Sequence, residues 1–274
     1  MDKSGITGRT YGFLWTRPNV LKPVEKWHFD RMQDVIDEPI VRGEIGIDVG
    51  SGCGFDSFIM ARDNPSVRIV SMDISDGVFT EKKITAGLNN VEIIKGSALE
   101  IPLNGGIFDF AYSFGVLHHT PEPKKGLAEI ARILKKDAPI FLYLYEDHSE
   151  NFFKYMAIKL INLLRMLTTR VPKRVLYLLC YALSPVIYLF FTVPSKILGM
   201  FKTTEKIAEN VPFNFGKGPF SLRGDLYDRF GAPIEHRFGR SELLGLLEEA
   251  GFTGTKISRM KDTAGWVCWG HKSK

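Results

Sequence analysis

Cysteine is scarce: Cys53, Cys180 and Cys268 are the three in 274 residues. Their odd number and scattered positions argue against a disulfide framework and for reduced thiols in a cytosolic compartment. None stands at metal-ligand spacing, so no metal is expected. The opening Met1-Asp-Lys-Ser-Gly-Ile-Thr-Gly-Arg9 has no apolar core of a secretory signal, which points to a cytoplasmic protein. Internal repeats and low-complexity tracts are absent as well. Negative charge is missing from one long stretch: residues 151–204 hold eight Lys and Arg and no Asp or Glu. The net charge of +5 less these +8 leaves −3 on the rest, so the basic character lies wholly within that segment.

Short, nearly continuous apolar runs alternate with amphipathic ones from 44 to 147. Strands are expected at Ile45–Val49, Arg68–Asp73, Val91–Lys95, Phe108–Phe114 and Pro139–Tyr145. Helices are expected near Phe55–Asp63, Ser75–Ala86 and Pro123–Leu134. That alternation describes an α/β protein with a doubly wound parallel sheet, buried on both faces. A later helix is expected at Ser241–Ala250, with Ser241 as N-cap and Gly251 just past its end.

The most informative stretch is Glu44-Ile-Gly-Ile-Asp48-Val-Gly50-Ser-Gly52-Cys-Gly54-Phe55. A strand runs into a turn with glycine at every second position, where the backbone can approach a ligand closely. A second strand then ends in Asp73, nineteen positions after Gly54. A carboxylate there suits the two hydroxyls of a ribose. The pair reads as a nucleoside site at the carboxyl end of a parallel sheet. A dinucleotide fingerprint needs a third glycine where Phe55 stands.

The G-x-G-x-G spacing behind Asp48 resembles that of the class I S-adenosylmethionine-dependent methyltransferases. Three further segments resemble the same family in order. They are Gly96-Ser97-Ala98 after strand three, Phe108 to His119 around strand four, and Ile133 to Leu144 leading into strand five. The strand-four segment resembles the branch of quinone-biosynthesis and small-molecule methyltransferases. Lys256-Ile-Ser-Arg259 and Gly265-Trp-Val-Cys-Trp-Gly270 resemble the last two strands. The resemblance implies a Rossmann-like methyltransferase sheet of seven strands, the last antiparallel, with a helical insertion after strand five. It also implies S-adenosyl-L-methionine as cofactor. Gly50, Ser51, Gly52 and Gly54 would face its methionine portion, with Asp48 orienting the loop and the amine. Asp73 would hold the ribose, Ile74, Ser97 and Ala98 the adenine side, and Ser113 and Phe114 would border the sulfonium. Ser97 stands where the family usually has an acid, which removes charge assistance from that contact. The usual Pro-Gly-Gly before strand five reads Lys-Asp-Ala-Pro here.

An acceptor with an acidic proton needs a base, which favours histidine near neutral pH. His236 with Asp228 or Tyr227, and His118, are the candidates; His118-His119 reads equally as a helix-start pair shaping the pocket floor. Arg229 and Arg237 are candidates for an anionic group or for solvated surface. The Asn/Asp-Pro-Pro-Tyr/Phe motif of amide and nucleobase methylation is missing after strand four, and no nucleic acid is expected.

Four regions follow. Residues 1–43 form an N-terminal arm, whose Tyr11, Phe13 and Trp15 either close over the cofactor or pack on the sheet edge; a helical run is expected from Val24 to Ile36. Residues 44–150 are the cofactor-binding core, 151–204 the apolar basic insertion, and 205–274 an acceptor-side loop with the last helix and two strands. The insertion reads as a basic amphipathic helix and then a charge-free run, Val175 to Ser195, bent at Ser184-Pro185 into two short helices. One crossing of a bilayer would separate the last strands from their sheet, so the hairpin is expected in the interface of an anionic membrane. A lid or a dimer face is the other reading. The function expected is methyl transfer to a small or lipophilic acceptor, with placement on the cytoplasmic face of a membrane. A non-catalytic docking module and a nicotinamide-dependent oxidoreductase are the alternatives.

Overall fold

Strand-forming runs that bury both faces need helices above and below, and the chain supplies both. The computed structural model describes residues 3–17, 28–211, 222–260 and 265–273. Its five parallel strands are β1 (Ile45–Val49), β2 (Arg68–Asp73), β3 (Val91–Lys95), β4 (Phe110–Phe114) and β5 (Pro139–Leu144). Two more, β6 (Phe252–Arg259) and β7 (Trp266–Lys272), complete a seven-stranded sheet of order β3-β2-β1-β4-β5-β7-β6. β7 lies antiparallel between β5 and β6.

Alternate residues of each strand feed two separate cores, as the twofold period of a strand requires. Ile47, Val49, Val70, Leu142 and Cys268 pack with Leu127 and Ile130 of helix α5 (Pro123–Ile133) and with Leu243 and Leu247 of α11 (Arg240–Glu249). Ile69, Phe110, Phe141 and Trp269 pack with Met32 of α2 (His28–Gln33) and with Ile59 and Met60 of α3 (Phe55–Asp63) on the opposite face. Gly46 admits the second arrangement, because a Cβ there would sit inside the Phe110 ring.

The order turns back between β1 and β4, so the loops after these strands diverge and open a crevice at their carboxyl ends. Over that rim lies helix α1 (Lys3–Trp15), packed closely enough that a Cβ on Gly8 would stand 3.1 Å from Ile74 and one on Gly12 3.1 Å from the Asp76 amide.

Some boundaries differ from expectation. β4 begins at Phe110 because the Asp109 carboxylate turns aside to accept from the amides of Glu44 and Ile45 at 2.8 and 3.0 Å. Helix α4 (Gly77–Ile84) starts after Ser75, whose amide donates to Asp73. Ser241 is not the cap of α11: the helix starts one residue earlier behind Gly239, whose amide donates to Glu242. Of the expected helix Val24–Ile36, the described part is α2; Pro18, Pro23 and Val24 lie outside the described residues.

The chain divides into two compact units, one of Met1–Thr16, Lys26–Met156 and Pro233–Lys274, the other of Arg17–Glu25 and Ala157–Ala232. In the second, α6 (Phe152–Thr168, begun in the first unit) leads to α7 (Lys173–Ile187), then a π-helical turn (Tyr188–Thr192), α8 (Val193–Leu198) and α9 (Glu205–Asn210). α10 (Leu222–Gly231) packs along α7. Arg165 is buried and donates twice to the Arg229 carbonyl, at 3.0 and 2.9 Å, and Thr168 donates to the Phe230 carbonyl at 2.6 Å. Pro185 does not end the helix as expected. Residues Lys173–Leu198 continue as one helix of 26 residues. A π turn begins three residues past Pro185, and the helix runs on through both irregularities.

Candidate active site

β1 ends under the glycine loop, and all three of its glycines take positive φ: 87° at Gly50, 62° at Gly52 and 81° at Gly54. At Gly52 both conformation and space demand glycine, since a Cβ would meet the Trp15 ring at 2.7 Å. The loop is tied to β2 by the Gly50 and Ser51 amides, which donate to the Met72 carbonyl at 2.6 and 3.1 Å. Asp73 completes the clamp. One of its oxygens accepts from the Gly52 amide at 2.9 Å and the other from the Ser75 amide at 2.7 Å. The carboxylate is thereby fixed at the tip of β2, with further lone pairs to offer a diol.

Beneath the loop lies a network of buried acids and hydroxyls that the sequence reading missed. Ser57 donates to Asp48 at 2.6 Å and lies 3.0 Å from the Ser71 hydroxyl. Glu81 accepts from Ser51 at 2.8 Å and from Ser71. Glu81 is fully buried, and a Cβ on Gly54 would collide with it. The signal was present: Val78, Glu81 and Thr85 share the buried stripe of α4, an apolar face interrupted by an acid. Burial pushes the Asp48 carboxyl well above its ordinary range, the Ser57 bond opposes that, and the neighbouring Asp56, Glu81 and Asp73 add to it. Glu81 is raised as well, again chiefly by burial.

The crevice is lined by Trp15, Asp48, Gly50, Ser51, Phe114 and His28, among others. His28 was not anticipated. It stacks on Phe114 with centroids 3.8 Å apart, and its Nδ1 lies 3.0 Å from Asp56. Phe114 stacks in turn on Tyr143 at 4.2 Å. Trp15 thus sits at the glycine loop itself, where an arm closing over a ligand would place it. The buried hydroxyl of Ser113 donates to the Val49 carbonyl at 2.7 Å and so joins two strands. Ser97 accepts from the Leu99 amide at 3.2 Å, and Ala98 belongs to the core. The Ser97 hydroxyl keeps its proton to donate.

A line of rings leads from Phe114 through Tyr143 and Tyr145 to His118, whose ring stacks on Tyr145 at 3.8 Å. His118 is wholly buried in the turn Leu117–His119, and the His236 amide donates to its carbonyl at 2.8 Å. The Nδ1 of His119 lies 2.8 Å from the Ile234 carbonyl, which assigns the proton to that nitrogen. Both ring nitrogens of His118 and Nε2 of His236 are buried with no hydrogen-bond partner among the described residues. Burial holds the His118 imidazole well below its ordinary range, with His119, Arg237 and His236 acting in the same direction. Of the expected acceptor-side residues, the structure therefore joins His118 and His236. Asp228 lies on α10 in the other unit, as do Tyr227 and Arg229. Arg237 is paired with Glu235 at 2.8 Å and is not a spare cation.

Residues 47–142, which carry the glycine loop, Asp73 and the turn to His118, match the family model described as a methyltransferase domain. Over those residues the chain is similar to methyltransferase domains. Rice chloroplastic 2-methyl-6-phytyl-1,4-hydroquinone methyltransferase 1 is 28% identical over 124 residues, 44% of this chain and 34% of that protein. A demethylmenaquinone methyltransferase from Clavibacter sepedonicus is 33% identical over 104 residues, 37% of this chain and 41% of that protein. The chain spans well under half the length of such curated relatives. In fold it is similar to a putative methyltransferase from Bacillus halodurans, with TM-score 0.53 at 14% identity over 90% of this chain and 99% of that one. Human N-acetylserotonin methyltransferase, solved with S-adenosylmethionine, has TM-score 0.51 at 14% identity over 90% and 52%. The seven-stranded sheet is the Rossmann-like sheet of these enzymes, and S-adenosylmethionine is the cofactor that such a domain implies.

The residues present fit that cofactor. A Cβ-free cradle at Gly52 and a clamped carboxylate at Asp73 suit an adenosyl ribose. Asp48 and the rings of Trp15, His28 and Phe114 offer an acidic and aromatic wall to a group bearing an ammonium and a sulfonium.

Proposed function

We propose that the protein transfers the methyl group of S-adenosylmethionine to a small or lipophilic acceptor of the quinol or phenol kind, met at a membrane surface. The observation that carries this reading is the juxtaposition, on one unit, of the clamped Asp73–Gly52 loop with a neutral, unpartnered His118 at the far end of one row of rings. The names of the relatives that act on hydroquinones and menaquinone precursors agree with it.

When bound, the sulfonium supplies an activated methyl group for in-line displacement, so the protein has to position, exclude water and manage a proton. Asp73 would hold the ribose hydroxyls and Asp48 the ammonium, with Gly50, Ser51 and Gly52 against the methionine backbone. Ile74 and the Ser97-Ala98 backbone would border the adenine. α1 covers the rim and Trp15 shields the loop from water. The unprotonated His118 would accept the acceptor's proton, because its nitrogens are short of partners and its burial keeps it neutral at pH 7. The loop carrying His236 positions it through the amide bond to the His118 carbonyl.

The test is a pair of measurements on one set of variants. His118→Gln is expected to lower turnover of a quinol acceptor by roughly a hundredfold, within the usual range for a lost general base. Calorimetry should show its S-adenosylmethionine affinity unchanged. Unchanged turnover would remove His118 from the chemistry, and no cofactor binding to the wild type would remove the activity.

A further inference from the structure

The helices of the second unit present apolar surface that none of the described residues covers. Along α6, Phe152, Leu160, Leu163 and Leu167 are all about 60% exposed or more. With Met156, also exposed, between the first two, they recur every three or four residues and so form one stripe. Along the helix Lys173–Leu198 the stripe of Leu176, Cys180, Thr192 and Ser195 is buried. Its opposite side, from Val175 through Leu178 and Val186 to Phe190, is open, about 22 Å of helix at 1.5 Å per residue. A soluble monomer rarely leaves a continuous apolar face of this size in water.

Charge identifies what would cover it. Every ionisable side chain of 151–204 that carries full charge at neutral pH is Lys or Arg. Of the eight, Arg165 is buried against the Arg229 carbonyl. The others frame the apolar faces: Lys154 and Lys159 on α6, Arg170, Lys173 and Arg174 at the turn into α7, and Lys196 and Lys202 at the far end. A second copy of this face would set cation against cation, whereas an anionic lipid surface satisfies both the charge and the apolar area.

We infer that α6 and the helix Lys173–Leu198 lie in the plane of an anionic leaflet, immersed by these stripes without crossing it. Crossing is disfavoured on three counts. β6 and β7 follow the segment and rejoin the sheet of β1–β5, so the chain must return to the side it left. A hairpin spanning the bilayer would set Arg170, Lys173 and Arg174 on its far side, against the bias that keeps Lys and Arg on the cytoplasmic face. Arg165 and Thr168 fasten α6 to α10, and the remainder of α7 is held along the same helix. The contact explains how a lipophilic acceptor would be met, and rests on the proposed function only for that purpose.

The full-length protein is tested by flotation with phosphatidylcholine vesicles holding about 30% phosphatidylglycerol, against pure phosphatidylcholine. Binding is expected on the anionic vesicles. It should weaken by about tenfold or more at roughly 0.5 M salt and keep a residue from the apolar term, which salt does not screen. L163E/L178E/F190E changes residues 60–66% exposed, so its melting temperature should match the wild type while vesicle binding falls by about tenfold or more. R170Q/R174Q/K202Q should lose the preference for anionic vesicles. In Arg170→Cys, a membrane-impermeant maleimide should label the vesicle-bound protein from outside; the native cysteines are buried. Labelling only after permeabilisation would overturn the in-plane placement. Failure of the wild type to float, or a dimer in solution that L163E/L178E/F190E makes monomeric, would overturn the lipid contact. Cofactor binding measured alongside reports on the methyltransferase reading separately.

Discussion

At the residue scale, most of the site rests on two carboxylates in opposite situations. Asp73 is met by two amides at the rim, and removing it would leave the Gly52 and Ser75 amides, and the ribose hydroxyls of the proposed cofactor, without their acceptor. Asp73→Ala should weaken S-adenosylmethionine binding by roughly ten- to a hundredfold, the equivalent of about 1.5–3 kcal/mol for a charge-assisted bond. Titration calorimetry checks it; unchanged affinity would detach Asp73 from the cofactor. Asp48 is instead buried, and its raised pKa means that the folded protein holds a proton the unfolded chain has released. Stability should therefore fall as pH rises from about 4 through the folded-state value of Asp48. Asp48→Asn should flatten this decline in thermal melts without cofactor while weakening cofactor binding. His118 acts in the other direction. Its lowered pKa makes the unfolded chain bind the proton first, so stability should be full above about 6.5 and decline below it. The decline should be missing in His118→Gln.

At the element scale, α1 is the piece whose place only the structure shows. Gly8 and Gly12 lie against Ile74 and Asp76, and its last residue, Trp15, closes on the loop glycine. Gly12→Leu would force this helix away from the Asp76 amide, since even a Cβ lies only 3.1 Å from it. Faster cofactor release in stopped-flow is expected, with the sheet intact by circular dichroism. A release rate equal to wild type would mean that α1 does not gate the crevice. The strands and most of the helices were legible in the sequence, because a twofold or 3.6-fold apolar pattern is a local property. Pro185 misled for the same reason. A local rule ends the helix there, and only the folded chain shows that it runs on.

On the scale of the whole molecule, β7 closes the sheet from its middle. It pairs with β5 on one side and β6 on the other, and Trp269 from it reaches across to Asp37 at 2.9 Å. Trp269 is 5% exposed, so Trp269→Ala should cost about 3–5 kcal/mol by the usual penalty for a buried aromatic. A melt that hardly moves would mean that the sheet tolerates a cavity beside β5. The charge of the chain divides sharply, with all of its positive excess in the helices of 151–204.

The sequence alone determined the order of strands and helices, the glycine loop with Asp73, and the basic apolar segment. Each is written in neighbouring residues: a period, a spacing, a run of like charge. Only the tertiary structure decided which distant side chains share a space. Glu81 was unreadable as part of the loop's support until α4 was laid under Gly54, thirty residues from Ser51 in the chain. The Ser113 hydroxyl finds its acceptor only once β1 lies beside β4. His28 needed α2 folded back onto Phe114, and the pairing of His118 with His236 needed the chain to return after the whole second unit. Patterns with short periods survive in one dimension, whereas the burial of a polar group and the partner that satisfies it exist only once the chain has closed on itself.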